Sequence, residues 1–299
     1  MSVSVIIPAY NGQAFIGDAV RSVLVQSNIK IEIVVVDDGS SDSTAAVIRQ
    51  FPEVSYLRKA NGGVASARNL GIENAKYDLI ALLDQDDRFL PGKLAAQVEL
   101  MTANPAVVLT HTDVRVIDAD GLPAADNRLA MRGGLKPPSG DVLIQLFKGN
   151  FVFACTAVFR KSVAEQAGLF DARLWGVDDY HLWMKLARHG PIVHVPEVLA
   201  EYRWHGSNAS SDYQLMAVGK LRACQSLLDL VEQDPLGKDV AAFRHLFLRR
   251  VIDEAWVARQ LRSGKESREL IALGLDVFRF RAELWKMYLA SFVRSGAKR

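Results

Sequence analysis

An α/β fold, with a mostly parallel, doubly wound sheet flanked by helices, is what this sequence predicts, and three observations carry it. Short continuous apolar runs alternate with segments of helical period through residues 3–103, as expected of strands covered on both faces. Each run ends abruptly in polar residues, and in an open α/β sheet that edge is where ligands bind. From Gln214 on the period is helical throughout, which predicts a C-terminal helical region over 213–299 after an α/β domain over 1–212.

Val3–Ile7 reads as the first strand, closed by Pro8, Ala9, Tyr10, Asn11 and Gly12, and Ala14, Ile16, Ala19, Val20, Val23 and Leu24 follow at helical spacing. Ile31–Val36 is a β-branched strand ending in Asp37, Asp38 and Gly39, and the segment Ser40–Ser43 supplies caps for the next helix. Val54–Leu57 is a third strand, Asn61, Gly62 and Gly63 a turn, and Val64–Ala75 a helix. Leu79–Leu83 is the fourth strand, with Asp84, Asp86 and Asp87 at its end. Pro91 then reads as the start of the helix over 92–103, where its missing N–H costs nothing.

Three carboxylates crowded at a strand end repel one another unless a cation sits among them. Mg²⁺ or Mn²⁺ takes one or two protein carboxylates and fills its sphere with substrate phosphate oxygens and water. The same string also fits a solvated acidic turn. What favours a site is the company: Tyr10, Asp38, Asp84 and Asp86 all fall just past predicted strand ends, on one rim.

The second half is less regular. Val107–Ile117 reads as one or two strands, 121–139 as a long polar loop that fits a lid as well as disorder, and Phe153–Arg160 as a further strand. In the segment Trp175–Leu186, Leu182, Trp183, Leu186 and Ala187 give an apolar helical face with Asp178 and Asp179 at its first turn. Acids there suit the helix dipole as ordinary caps, and they equally suit a general base projected into a cleft. Ile192–Trp204 is strand, and His205 just beyond it can ligate metal, although a lone histidine is more often core or surface.

Composition narrows the function classes. Of 299 residues, 49% are hydrophobic and 23% charged, enough for one large domain or one with an appendage. Residues 216–299 hold 16 Lys and Arg against 10 Asp and Glu (+6), while the remainder holds 20 against 24 (−4). The acidic part therefore carries the Asp-rich turn. Two cysteines, Cys155 and Cys224, make neither a disulfide framework nor a zinc site, so a cytoplasmic location is expected. Neither a signal peptide nor a run of ~20 apolar residues is found. There is no GxGxxG and no Walker sequence. The basic residues form no dense stripe, which argues against nucleic acid.

Taken together, VSVIIPAYN, VVVDDGSSDST, NGGVASARNLGI, LIALLDQDD, VDDYHLWMKL and YRWHGSNAS stand in the order and spacing of family 2 glycosyltransferases, over roughly residues 3–210. Each motif alone is weak, and the ordered set is highly specific. The resemblance implies a GT-A fold: a nucleotide-binding half over about 1–104 joined to an acceptor-binding half over about 105–212. It implies a nucleotide-diphospho-sugar donor, a glycan or lipid-linked acceptor and a divalent metal, Mn²⁺ or Mg²⁺. By position, Pro8, Ala9 and Tyr10 resemble the base-contacting loop and Asp38 the acid that holds the nucleobase. Asp84 resembles the ribose-contacting acid and Asp86 the metal ligand. Asp179 matches the catalytic base, while Asp178 stands where the family usually has Glu. Arg68 lies in the segment approaching the nucleotide, and Arg203 and His205 fall where diphosphate or metal contacts are often placed. A single base implies one displacement and inversion at the anomeric carbon. Processive members carry Gln-x-x-Arg-Trp and membrane spans; here Arg203-Trp204 is preceded by Ala200, which implies a non-processive enzyme.

The competing readings are a nucleotidyltransferase and an inactive sugar-nucleotide-binding scaffold. Pro8–Gly17 holds no Lys or Arg for a triphosphate clamp, and intact Asp86 and Asp179 argue against a scaffold. In the tail, Leu270, Leu273, Val277, Leu284 and Met287 recur at helical intervals with Phe278, Trp285 and Phe292 beside Arg279, Arg281, Lys286 and Arg294. Such a basic amphipathic helix fits peripheral contact with an anionic membrane, or packing on the catalytic domain or in a homodimer.

Overall fold

The computed structural model describes residues 1–124, 136–206, 208, 213–236 and 239–260. The chain divides into two compact units, Met1–Leu146 with Asn150–Asn208, and Phe147–Gly149 with Ala209–Arg299.

In the first unit the elements run β1 (Ser2–Ala9), α1 (Ile16–Leu24), β2 (Lys30–Asp37), α2 (Thr44–Ile48), β3 (Val54–Arg58), α3 (Val64–Asn74) and β4 (Leu79–Leu82). After these come β5 (Arg88–Phe89), α4 (Lys93–Ala103), β6 (Leu109–Ile117), α5 (Leu143–Lys148, of which Phe147 and Lys148 belong to the second unit), β7 (Val158–Arg160), α6 (Lys161–Gln166), α7 (Asp178–Leu186) and β8 (Ile192–Arg203). All eight strands form one sheet, in the order β3-β2-β1-β4-β7-β6-β8-β5.

The first four strands pair in parallel, because each is returned by a helix or crossover. β7 is antiparallel to both β4 and β6. Two reversals restore the sense, so β6 and its parallel neighbour β8 end on the same edge as β4. This is the GT-A arrangement, α/β with a mostly parallel sheet, and it gathers the ends of β1, β2, β4 and β8 on one rim.

The core explains why the pattern was legible. Val3, Val5, Ile7, Val35 and Ala81 on the strands pack with Ile16, Val20 and Val23 of α1 and Leu94, Val98 and Met101 of α4. On the other face α3 lies close against β1: a Cβ on Gly71 would sit 2.4 Å from Cγ2 of Ile6. Only glycine permits that approach.

Three local expectations are corrected. Pro91 does not begin α4; Gly92, at φ 86°, is its N-cap and Lys93 its first residue, because the chain must first turn away from β5. β5 was not expected, since a two-residue strand leaves no periodic signal; it pairs with Ala200 and Glu201 of β8. The segment 153–160 is not one strand. Ala154–Thr156 is a 3₁₀ turn, closed by Thr156 Oγ1 donating to Phe153 O at 2.7 Å, and only Val158–Arg160 pairs. The cap of α2 comes from Asp42, whose Oδ1 accepts from Thr44 N at 2.9 Å.

In the second unit α8 (Tyr213–Gln233) and α9 (Val240–Gln260) pack together. Ala217, Leu221, Cys224, Leu228 and Val231 recur at three- and four-residue steps along one buried stripe, matched by Phe243, Phe247 and Val251. Phe243 meets Phe147 edge-on at 5.1 Å. Among the described residues no helix is long and apolar enough to cross a membrane. The expected basic amphipathic helix from Glu266 on lies outside the described residues, as does most of the 121–139 loop.

Candidate active site

The rim begins where β1 and β2 end. Pro8 and Ala9 are still in β1 and buried, so of the loop residues expected to meet a base only Tyr10 presents a side chain, half exposed. Asp38 N donates to Ala9 O at 2.8 Å, which ties the two strand ends together. The Asp38 carboxylate is buried and accepts from Lys59 Nζ at 2.6 Å, Gly62 N at 3.0 Å and Gly63 N at 2.7 Å. The Asn61-Gly62-Gly63 turn thus brings its amides to Asp38. Beside it, burial works to raise Asp37, but Ser40 and Tyr56, whose Oη donates at 2.6 Å, hold its carboxyl below the ordinary value.

The acidic turn after β4 is folded around Arg203. Arg203 N donates to Asp87 Oδ1 at 2.9 Å, and its Nε donates to Asp86 O at 2.8 Å. Its Nη1 reaches Asp118 O and Ala119 O at 3.2 and 2.9 Å, and the guanidinium lies 4.8 Å over Phe15. With 2% exposure, Arg203 braces three chain segments; the structure gives it internal partners where the sequence suggested a diphosphate. His205 Nε2 meets Asp86 Oδ2 at 2.9 Å, its ring stacked on Phe15 at 5.4 Å. Burial, then the neighbouring Asp84, raises Asp86 above the ordinary carboxylate value, against the pull of His205. Asp87 is raised further by burial and by Asp86.

Among the described residues no group of three or more His, Cys, Asp and Glu side chains is gathered as a metal cage. Asp86 and His205 form a set of two, in a place where negative charge is already crowded. That set fits a hard divalent cation completed by substrate oxygens and water, the habit of Mg²⁺ and Mn²⁺.

Arg68 joins the two halves of the rim. It projects from α3, is 4% exposed, and donates through Nη2 to Asp84 Oδ1 at 2.6 Å and through Nη1 to Asp178 Oδ2 at 2.7 Å. Its guanidinium also lies 5.4 Å over Phe170. Burial alone would lower it, but Asp84, Asp178 and Asp179 hold it above its ordinary value. Asp178 caps nothing: α7 has Val177 at its N-cap and no side-chain cap bond, and Asp178 is spent on Arg68. Burial raises Asp178 even so, with Arg68 opposing.

Asp179, half buried, accepts from its neighbour's amide, Tyr180 N, at 2.6 Å. Burial and the adjacent Asp178 push its carboxyl up to about 7, against the pull of Arg68. A carboxylate with that affinity for a proton, on a fixed helix start, can accept one near neutral pH.

The structure therefore brings Asp84, Asp178, Asp179 and Arg68 into one network and Asp86, His205 and Arg203 into an adjoining one. Tyr10 and Asp38 lie at the neighbouring strand ends. Sequence reasoning missed Gln85, Lys59, Phe15 and Phe170. Lys59 and Gln85 carried a signal, since each stands two residues past a strand end that the sequence predicts, Leu57 and Leu83; Phe15 and Phe170 carried none.

Comparison with known proteins bears on the family and the fold. The model of glycosyl transferase family 2 matches residues 4–168. An uncharacterized glycosyltransferase of Rickettsia prowazekii is 32% identical over 216 residues, 70% of this chain and 66% of that protein. The chain thus spans slightly less than two thirds of that relative. TuaG of Bacillus subtilis, a glycosyltransferase named for teichuronic acid biosynthesis, is 30% identical over 217 residues, 70% of this chain and 82% of that one. Among solved structures, residues 1–349 of Staphylococcus aureus TarS superpose with a TM-score of 0.67 at 15% identity, covering 99% of this chain and 92% of that one. TarS is also known bound to UDP-GlcNAc. The mannosyltransferase PcManGT of Pyrobaculum calidifontis, in complex with GDP-Man and Mn²⁺, superposes at 0.58 with 20% identity, covering 99% and 86%.

Proposed function

The chain belongs to glycosyl transferase family 2, and on that premise we propose that it is an inverting, metal-dependent glycosyltransferase. It moves a sugar from a nucleotide-diphospho-sugar, a UDP-sugar first among the candidates, to a hydroxyl of a glycan or lipid-linked acceptor. Surface polysaccharide biosynthesis is the setting, a reading supported by the likeness to TuaG and TarS. One sugar is added per acceptor. Residues 1–104 hold the donor and 105–212 the acceptor, with the enzyme in the cytoplasm, at or near the inner face of the membrane.

The observation that carries this is Arg68, whose one guanidinium holds both Asp84 of the strand-end turn and Asp178 of α7. That bridge sets Asp179 beside the donor side of the rim. Tyr10 stacks on the nucleobase, Asp38 shapes the wall next to it, and Asp84 meets the ribose. Asp179 takes the acceptor hydroxyl's proton as that oxygen bonds to C1 on the face opposite the diphosphate. The C1–O bond breaks and its electron pair leaves with the nucleoside diphosphate. A single displacement inverts the centre. Asp86 and His205 would hold the divalent cation, which supplies charge neutralisation for the departing diphosphate. Arg203 acts through Asp86 and Asp87 by fixing the turn that carries them.

The test is release of nucleoside diphosphate from UDP-, GDP- and dTDP-sugars with Mn²⁺, followed by Asp179→Asn. That variant should bind nucleotide normally and lose ~10²–10⁴-fold in transfer. Full transfer by Asp179→Asn overturns the assignment of the base.

A further inference from the structure

The acidic turn holds one side chain that the proposed mechanism does not use. Gln85 sits between Asp84 and Asp86, yet its amide is turned back on β1. Its Oε1 accepts from Tyr10 N at 2.9 Å and its Nε2 donates to Tyr10 O at 3.1 Å. Both backbone groups of one residue are thus met by one side chain, as a neighbouring strand would meet them. Among the described residues no strand is there to do so. β4 pairs with β1 only across Ser4–Ile6, with Leu83 N reaching Ile6 O, and then bends into the acidic turn. The chain before Tyr10 is held from the other side by Asp38 N on Ala9 O.

A second feature points the same way. A Cβ on Gly12 would lie 2.1 Å from Gln85 Oε1 and 2.6 Å from its Cδ. The loop after Tyr10 is therefore shaped to leave room for this amide, and Gly12 N, donating to Thr44 Oγ1 at 2.8 Å, fixes that loop in place.

We infer that Gln85 is a positioning residue that locks the Tyr10 loop to the acidic turn, so that the nucleobase platform and the metal-binding carboxylate move as one piece. The inference rests on the donor-site reading above, in which Tyr10 meets the base and Asp86 the cation. Its consequence is coupling. Nucleotide bound at Tyr10 sets the turn for the cation, and the cation in turn tightens the nucleotide by the same factor.

The experiment is calorimetric titration of the full chain with UDP, dTDP and GDP, with and without Mn²⁺, using the tightest binder thereafter. Gln85→Met keeps the volume and removes both bonds; Gly12→Ala displaces the amide from the other side. Each variant should bind nucleotide roughly tenfold more weakly without metal, because the nucleotide must then order a Tyr10 loop that the two hydrogen bonds held in place before it arrived. The factor by which Mn²⁺ tightens nucleotide should shrink at least about threefold. Melting temperature of Gln85→Met should stay within roughly 2 °C, which separates positioning from folding. Wild-type affinity and coupling in Gln85→Met overturn the inference, and so does weakened affinity with the coupling intact. Should Gly12→Ala fail to fold, Gln85→Met alone decides. Wild-type protein that binds none of the three nucleotides brings down the donor-site reading itself, an outcome visible before any variant is made.

Discussion

Arg68 and Asp178 stand 110 residues apart in the sequence and meet at 2.7 Å in the interior, each less than a twentieth exposed. The same guanidinium reaches Asp84. One cation therefore holds two carboxylates that would otherwise face each other unscreened, and replacing it by Met should be costly twice over. Breaking a buried pair from one side typically costs ~3–5 kcal/mol, because the remaining charge is left without a partner. Chemical denaturation of Arg68→Met should show a loss of that order, and transfer should fall even where the protein remains folded. An Arg68→Met protein as stable and active as the parent would mean that the bridge is incidental.

The position of Asp179 sets a pH dependence. Its carboxyl is pushed up to about 7 by burial and by Asp178. With Asp179 as the base proposed above, it is protonated below that value, so kcat/KM should climb about tenfold per pH unit up to pH ~7 and level off above it. The stability effect has the opposite sign. A carboxyl that ionises less readily folded than unfolded favours the native state when protonated, so this contribution fades as pH rises between about 4 and 7. A pH–rate profile read beside a pH–melting profile should show activity rising where this stabilising contribution declines. A rate already level at pH 5 would assign the base elsewhere.

Asp86 and His205 stand 2.9 Å apart, and in the function proposed above they share the cation. Asp86→Asn and His205→Ala should each weaken Mn²⁺ binding by at least the ~10–100-fold that losing even an outer-shell partner costs. Metal titration in the presence of nucleoside diphosphate is the measurement. Nucleotide binding without metal should change less. Equal Mn²⁺ affinity in both variants and the parent would place the cation at other ligands.

What could be read in advance follows from which forces act locally. Val3–Ile7, Ile31–Val36 and Leu79–Leu83 are strands covered on both faces, so burial prints itself as an unbroken apolar run, and the polar residues ending each run mark the rim. β5 and the 3₁₀ turn at Ala154–Thr156 had no such print, since two or three residues carry no period and their pairing comes from distant chain. The candidate site residues could be named from the sequence by kind and position, their partners could not. Asp178 fitted a helix cap with no sign that Arg68 would arrive from α3, and Arg203 fitted an anion contact with no sign that the carbonyls of Asp86, Asp118 and Ala119 would surround it. Charged side chains are rarely fully buried, so a sequence gives no warning when one is.

Lys93 is the sharpest case. As the first residue of an amphipathic-looking helix it should face water; instead it is fully buried, its Nζ 4.1 Å from the ring centre of Phe89 and without a hydrogen-bond partner among the described residues. Burial lowers its ammonium to about 7 from the ordinary 10.5, with only Cys155 pulling the other way. The sign of the effect follows. Between pH ~7 and ~10 the unfolded chain binds a proton that the folded one has shed, so the penalty for burying Lys93 is near its full size at neutral pH and shrinks as pH rises. Lys93→Met fills the same space without a charge to desolvate. It should raise the melting temperature at pH 7, by roughly 5–10 °C if about 3 kcal/mol is recovered. The advantage over the parent should narrow steadily toward pH 10. A gain that stays constant across that range would come from packing alone, and a loss would mean that the amine holds the turn at Asp87 together through Cys155, whose thiol is pushed up by burial and by Asp87.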